Sequence, residues 1–148
     1  MRYGISGAPI PPGLPYGDEI QHACELLDFA PCVAYAIKMN ETGPDDPPDI
    51  ISIDGGHGIL QLTASYPLNW DDPYSNALYA IAHFLLPAQE YWAALGYSGD
   101  NLVRLIAATY NSGLGNAIAA HDLGNVDLYD TDNYGTRCVE NVHSLLGT

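Results

Sequence analysis

The sequence between residues 38 and 63 begins Lys38-Met39-Asn40-Glu41-Thr42-Gly43 and ends Asp54-Gly55-Gly56-His57-Gly58-Ile59-Leu60-Gln61-Leu62-Thr63. Glu41 stands at the C-terminal edge of a helix-like run and is followed by a glycine and a loop rich in proline and aspartate. At such a position a carboxylate can face a cleft while the helix holds its backbone. The plainer interpretation is that Glu41 is a solvated glutamate at a helix end. The rest of the chain helps to decide between this interpretation and a carboxylate that faces a cleft.

The pattern of apolar residues is helical on both sides of this stretch. Pro31 suits the first turn of a helix that runs to about Glu41, with Val33, Ala34 and Ile37 facing inward. We predict further helices at 18–29, about 59–63, about 73–95 with a kink or break before Pro87, from about 100 to Ser112, at 116–121, and from Asp130 or Thr131 onward. The expected fold is mostly α, with a cleft beside Glu41 and at most a small β element near 50–53.

The N-terminal residues 1–17 differ from the rest of the chain. They contain four prolines and four glycines, which oppose both helices and strands, so we predict an extended arm. Residues 18–148 are predicted to form one domain, because a chain of 148 residues can bury roughly two-thirds of its unfolded surface around one core. No signal segment is visible in Met1–Tyr16, and no run approaches the roughly 20 apolar residues of a membrane span.

The charge balance limits the class of partner. Eighteen acidic residues against four basic ones give a formal net charge of −14. Nucleic acid is therefore not an expected partner, since that binding needs Lys and Arg at the phosphates. An anionic membrane or wall polymer would also be repelled at low salt.

Cysteines and acidic loops give no sign of a metal or cofactor. Cys24, Cys32 and Cys138 are an odd number, and we predict buried free thiols, with a Cys24–Cys32 disulfide as the alternative in an oxidising compartment. No Cys-x-x-Cys pair accompanies them, and the aspartates of the 44–58 loop lack the spacing of a calcium loop. We therefore expect no metal and no cofactor.

The remaining chemistry is that of carboxylates. The sequence contains no Ser-His-Asp order, no phosphate loop and no His-Glu-x-x-His motif. Cleavage of a glycosidic bond needs a protonated acid beside the leaving oxygen, which favours a glutamate shielded by apolar and aromatic walls. Glu41 has the placement, and Tyr110, Tyr97, Tyr134 and Trp70 are candidates for the walls.

Three short motifs carry a family resemblance. Glu41-Thr42-Gly43, Gly58-Ile59-Leu60-Gln61 and Ala107-Ala108-Thr109-Tyr110-Asn111-Ser112-Gly113 resemble, in this order, the E-S, G-L-M-Q and A-x-Y-N-A-G motifs of glycoside hydrolase family 23. This family contains the goose-type lysozymes and the soluble lytic transglycosylases. The tail from Asn133 to Val139 is similar to the closing tyrosine-containing helix of the family, so the resemblance covers about residues 31–146.

The resemblance implies a lysozyme-like fold and cleavage of the β-1,4 bond between N-acetylmuramic acid and N-acetylglucosamine. By the same resemblance, Glu41 is the general acid, while Gln61 and the backbone of Gly58 line the sugar subsites. Tyr110 and Asn111 hold the catalytic carboxyl or an N-acetyl group, and Tyr134 closes the floor of the cleft. The alternatives without a role in function are that Tyr110 is a buried tyrosine of the helix and that residues 111–113 form the helix C-cap.

Departures from the family pattern leave the reaction open. Thr42 replaces the usual serine but keeps a hydroxyl, and Thr63 stands where goose-type lysozymes can place an aspartate that helps to position water. Asp54 is the remaining candidate, and because of it we predict hydrolysis. The compact chain without a visible signal favours a phage or bacterial lysin that acts on the cell wall, and we expect a monomer. The alternatives are a lytic transglycosylase that forms 1,6-anhydro products, a chitinase, and a sugar-binding module without turnover.

Overall fold

The computed structural model of the chain describes residues 2–148 and is mostly α-helical. The helices are α1 Gly17–Leu27, α2 Pro31–Glu41, α3 Pro73–Ala80, a π-helical turn Ile81–Leu85, α4 Leu86–Ala94, α5 Gly99–Ser112, α6 Leu114–Asp122 and α7 Tyr134–Leu146. Pairing of β type consists of isolated bridges, Arg2 with Ile5, Ile51 with His57, and His57 with Leu62. The predicted single, mostly α domain with at most a small β element is confirmed.

Helix α2 lies at the centre of the core and ends at Glu41. Its residues from Pro31 to Lys38 are all buried, including the predicted inward positions Val33, Ala34 and Ile37. Helix α7 packs against both α2 and α5, and α1 packs against α2 and α3. A glutamate at the end of this buried helix is therefore fixed relative to most of the molecule.

Both ends of α2 agree with the prediction. Pro31 occupies the first turn, where its missing N–H is not needed. The helix stops because Thr42 is extended, at φ −139° and ψ 148°. The observed bounds of α1, α5 and α6 differ from the predicted ones by at most two residues.

The long helix predicted for about 73–95 is interrupted before Pro87, as expected. Asp72 caps its start by accepting a hydrogen bond from the Ser75 N–H at 2.9 Å. The π-helical turn Ile81–Leu85 separates α3 from α4. Pro87 then lies in the first turn of α4, directly after the π-helical turn.

The short helix predicted at 59–63 is wrong. These residues form a tight turn in which His57 and Leu62 exchange backbone hydrogen bonds of 2.9 and 3.0 Å. Gln61 has φ 51°, a left-handed conformation that no helix contains. The pairing of His57 with Ile51 and Leu62 also replaces the short strand considered at 50–53.

The last helix starts later than predicted, at Tyr134, although Asp130 does cap it. Its carboxylate accepts hydrogen bonds from the N–H groups of Tyr134 and Gly135, at 3.1 and 3.0 Å. The carboxylate reaches the helix from four residues upstream because Asp132 and Asn133 both adopt left-handed conformations. The helix was predicted to open at Asp130 or Thr131, and it begins at Tyr134.

The N-terminal arm packs on the helices. Met1 lies outside the described residues. Ile5 and Ile10 are buried in the core, and the Gly99 N–H donates to the Tyr3 carbonyl at 2.8 Å. The Tyr35 hydroxyl donates to the Pro15 carbonyl at 2.9 Å. Residues 2–17 thus contribute to the same core as the rest of the chain.

The three cysteines are buried free thiols, as predicted. Burial raises the pKa of both Cys24 and Cys138 to about 12, so neither is a ready nucleophile. Along residues 2–148 no helix is long and apolar enough to cross a membrane. Within the same residues, no group of three or more His, Cys, Asp or Glu side chains is placed to hold a metal ion.

Candidate active site

A cleft of about 660 Å³ opens beside the C-terminal end of α2. Its walls come from the 54–64 loop, the π-helical turn, the start of α4, the C-terminal end of α5 and the loop before α7. Five of the predicted site residues line it: Glu41, Asp54, Gln61, Tyr110 and Asn111. Gly58 and Tyr134 lie behind the walls.

Glu41 is the most perturbed carboxyl group that lines the cleft. Burial raises its pKa from 4.5 to about 7. A hydrogen bond from Tyr134 opposes this shift, the negative charge of Asp54 adds to it, and Arg137 lowers the pKa slightly. A carboxyl group with a pKa near 7 is protonated in a large fraction of molecules at neutral pH, as a general acid requires.

Tyr134 holds the Glu41 carboxyl. Its hydroxyl donates to Glu41 Oε2 at 2.5 Å, and its side chain is almost fully buried. Tyr134 is the first residue of α7, and its carbonyl accepts a hydrogen bond from Asn40 Nδ2 at 3.1 Å. Two contacts thus connect the start of α7 to the end of α2.

The Tyr134→Phe variant tests this contact. Loss of the hydroxyl removes an interaction that lowers the pKa of Glu41, so that pKa rises further. If Glu41 acts in its protonated form, the rate falls as pH rises through its pKa, and the alkaline limb of the kcat/KM profile should move to higher pH. A hydrogen bond worth about 1 kcal/mol corresponds to about 0.7 of a pH unit.

Tyr91→Phe is the matched control for this experiment. It removes the hydroxyl of an exposed tyrosine on α4, and its profile should coincide with that of the wild type. An unshifted profile in Tyr134→Phe would show that Tyr134 does not tune the pKa of Glu41.

The family resemblance implied that Tyr110 and Asn111 hold the catalytic carboxyl or an N-acetyl group. In the structure the hydroxyl of Tyr110 donates instead to the carbonyl of Leu60. Asn111 accepts a hydrogen bond from the Thr131 N–H at 2.8 Å and thereby fixes the loop before α7. Both residues still line the cleft, where Asn111 can offer its amide nitrogen to an N-acetyl group.

The end of α2 is fastened to the 58–61 turn through Thr42. Its hydroxyl donates to the Ile59 carbonyl at 2.9 Å, and Thr42 is buried. The hydroxyl retained at this position therefore links the Glu41 motif to the Gly58-Ile59-Leu60-Gln61 motif. Asn40 attaches the end of α2 to α7, because its Oδ1 accepts a hydrogen bond from Nδ2 of Asn141 on α7 at 3.0 Å.

Two glycines shape the turn that carries Gln61. A Cβ at Gly56 would lie 2.2 Å from Gln61 Oε1, and a Cβ at Gly58 would lie 2.2 Å from Asn76 Nδ2. Gly58 also has φ +75°, which favours glycine. The Gly58 carbonyl accepts from Gln61 Nε2 at 2.9 Å, so Gly58 acts by orienting Gln61 rather than by forming the cleft wall.

Asn76 supports this turn and was not predicted. It is fully buried on α3, accepts from the Leu60 N–H at 3.0 Å, and donates to the carbonyls of His57 at 3.0 Å and Trp70 at 2.9 Å. The only signal in the sequence was that a single asparagine stood among helical residues, and that these residues needed to be buried. Its three partners lie 6, 16 and 19 residues away along the chain, outside the helix that carries it, so the helical pattern alone could not identify them.

The aromatic lining of the cleft differs from the expected one. Phe84 lines it and meets Tyr110 edge to face, at 6.2 Å between ring centroids. His83 also lines it and stacks on Tyr79 at 4.0 Å. Trp70 packs instead against His57, and Tyr97 packs against Trp92 in a separate cluster.

Asp54 is exposed at the mouth of the cleft, where its carboxylate accepts a hydrogen bond from the Ser52 hydroxyl. Its charge raises the pKa of Glu41, so the two carboxyls act on one another across the cleft. A shielded carboxyl and an exposed one, in two different environments, are the kind of pair that acid and base catalysis requires. Sequence reasoning identified both.

No family model matches the chain, and no curated protein sequence matches it. The similarity to glycoside hydrolase family 23 therefore depends on the three motifs and the tail. The motifs meet in space, since Thr42 contacts Ile59 and Tyr110 contacts Leu60. Glu41 precedes Thr42 in the first of these motifs and lines the cleft together with Tyr110.

Proposed function

We propose that the protein is a glycosidase that degrades peptidoglycan by cleaving the β-1,4 bond between N-acetylmuramic acid and N-acetylglucosamine. One observation carries the proposal: Glu41 lies in an open cleft with a pKa of about 7 and is oriented by Tyr134. The three motifs that resemble those of family 23 support the choice of substrate. A polymer chain can enter because the cleft is open to solvent.

The proposed reaction begins with the protonated Glu41. Its proton moves to the glycosidic oxygen while the bond from that oxygen to C1 breaks, and Glu41 is left ionised. Asp54 takes a proton from water as the water oxygen bonds to C1. Proton exchange with solvent then restores both carboxyls. The exposed carboxyl of Asp54 at the mouth of the cleft supports hydrolysis over attack by the sugar's own C6 hydroxyl.

Asp54→Asn tests this assignment. We expect at least about a tenfold loss of hydrolysis, because the amide cannot accept the proton of water. The same change removes a charge that raises the pKa of Glu41, so the alkaline limb of the pH profile should move to lower pH. Asp18→Asn, which neutralises an exposed acid on α1, is the charge-matched control.

An unchanged rate for Asp54→Asn would favour a route with one carboxyl. There, Glu41 first gives its proton and then accepts one from the C6 hydroxyl, which forms a 1,6-anhydro product.

Parallel incubations with purified peptidoglycan and with chitin hexamer test the proposed substrate. Release of soluble fragments from peptidoglycan by the wild type is the expected result. Release from chitin alone would assign a chitinase. Binding to either glycan without any product would identify a sugar-binding module and would overturn the proposal.

A further inference from the structure

Arg137 lies near the start of α7, three residues after Tyr134, and is partly buried. Its guanidinium donates through Nε to the Asp132 carbonyl at 2.8 Å and through Nη2 to the Thr131 carbonyl at 3.4 Å. Its Nη1 donates to Asn40 Oδ1 at 3.3 Å. The planar fork of one side chain therefore joins two carbonyls of the loop before α7 to the end of α2.

The loop that Arg137 holds has an unfavourable backbone conformation. Asp132 and Asn133 have φ angles of 50° and 56°, in the left-handed region that residues with a side chain rarely adopt. Such residues persist where surrounding contacts fix them. The loop is fixed by the fork of Arg137 and by Asn111, whose Oδ1 accepts from the Thr131 N–H at 2.8 Å. Because α7 begins directly after this loop, the loop conformation sets the position of the first helical residue.

The same guanidinium faces the ring of Tyr134. Its central carbon lies 5.8 Å from the ring centroid, within the range of a cation–π interaction. The hydroxyl at the far end of that ring donates to Glu41 Oε2 at 2.5 Å. Asn40 completes the connection, since its Nδ2 donates to the Tyr134 carbonyl and its Oδ1 accepts from Arg137. Arg137 thus contacts the loop, the helix end and the ring that together place this hydroxyl.

We propose that Arg137 is a positioning residue for the candidate acid: its fork holds the loop before α7 and the end of α2, and these place the Tyr134 hydroxyl on the Glu41 carboxyl. The inference rests on the proposed function, in which Glu41 must be oriented toward the glycosidic oxygen. The positive charge of Arg137 is a separate contribution, which opposes the rise in the pKa of Glu41 that burial causes. A decisive variant therefore removes the fork and keeps the charge.

Arg137→Lys makes this change, because the single nitrogen of lysine cannot reach three acceptors as the planar fork does. The Tyr134 hydroxyl is then held less firmly, so we expect the pKa of Glu41 to rise. The rise should be part of the shift of about 0.7 of a pH unit that loss of the whole hydrogen bond corresponds to. A ¹³C NMR titration of the Glu41 carboxyl measures it, with the signal assigned by its absence in Glu41→Gln. Arg2→Lys, the same change at an exposed arginine near the N-terminus, is the matched control and should titrate as the wild type does.

The Tyr134→Phe background separates positioning from a displaced charge. The charged and titratable groups that act on Glu41 are Asp54 beside the cleft, Tyr110 on α5, and Tyr134 and Arg137 on α7. In Tyr134→Phe the hydroxyl that Arg137 positions is absent, so adding Arg137→Lys should leave the pKa of Glu41 unchanged. A shift that persists in this background would overturn the inference. So would a pKa that is unchanged or lower in Arg137→Lys alone.

Rates distinguish failure of this inference from failure of the proposed function. The titration needs no turnover, so its result holds whether or not the protein cleaves peptidoglycan. If Glu41 is the acid, the alkaline limb of the kcat/KM profile of Arg137→Lys should move to higher pH by the amount that the titration gives. Cleavage by the wild type with an unshifted pKa in Arg137→Lys overturns the inference alone. The expected shift without any soluble fragments from the wild type overturns the proposed function alone.

Discussion

Glu41→Gln is expected to reduce the release of soluble fragments from peptidoglycan by about 10²- to 10⁴-fold, the range that a general acid contributes. The amide is nearly the same size as the carboxyl and can still accept the hydrogen bond from Tyr134. It has no proton to give to the leaving oxygen. Initial rates on purified peptidoglycan measure the effect, and retention of more than a few per cent of the activity would remove Glu41 from the role of acid.

The stability of this variant serves as its folding control, and we expect it to depend on pH in a definite direction. The pKa of Glu41 is raised in the folded protein, so its contribution to stability is fully present below the unfolded value near 4.5 and is lost as pH rises through about 7. Glu41→Gln should therefore be at least as stable as the wild type at pH 8, with the difference vanishing near pH 4. Urea titrations at both values check this, and retained binding of glycan shows that the cleft is intact.

Gly58→Ala is expected to lower the free energy of unfolding by about 2–4 kcal/mol. The new Cβ would lie 2.2 Å from Asn76 Nδ2 and 2.8 Å from the Trp70 carbonyl oxygen, and the residue would keep a strained φ of +75°. Relief of the overlap requires Asn76 to give up hydrogen bonds that hold the turn. Equilibrium urea unfolding measures the loss.

Gly115→Ala is the matched control for the glycine experiment. Gly115 lies in α6, is exposed, and has no neighbouring atom within 4 Å of the position that a Cβ would occupy. Alanine there should leave stability unchanged or raise it by up to about 1 kcal/mol. Equal unfolding midpoints for Gly58→Ala and the wild type would show that the turn does not depend on this glycine.

The fold was predictable where local signals agree with the final packing. Pro31 and the inward positions of α2 placed that helix correctly at both ends, and Pro87 marked the interruption before α4. The turn at 59–63 was missed because its conformation is imposed from outside, by Asn76 and by pairing with His57. Its apolar residues are equally compatible with a helix.

Most residues of the candidate site could be predicted from the sequence, but the contacts between them could not. Glu41 and Tyr134 were both selected, yet their hydrogen bond joins positions 93 residues apart. No local pattern carries that information. The same limit applies to Tyr110, whose partner Leu60 is 50 residues away, and to Phe84, which has the sequence pattern of a core residue and lines the cleft.

The buried attachments around Glu41 explain why one acid can be both isolated and well oriented. Thr42 binds the 58–61 turn, and Asn40 binds α7, so the residues on both sides of Glu41 are fixed. The carboxyl between them meets one donor, Tyr134, and otherwise faces the cleft. Burial can then raise its pKa without a rearrangement of the helix.

Mass spectrometry of the soluble products formed from peptidoglycan in ¹⁸O-water is the most direct test of glycosidic cleavage by Glu41 and water. We predict reducing muropeptides that carry one ¹⁸O at C1 from the wild type, and about 10²- to 10⁴-fold less of them from Glu41→Gln. Unlabelled products that are lighter by one water would show that the reaction is transglycosylation and not hydrolysis. The absence of soluble products from the wild type, or equal yields from Glu41→Gln, would contradict the account.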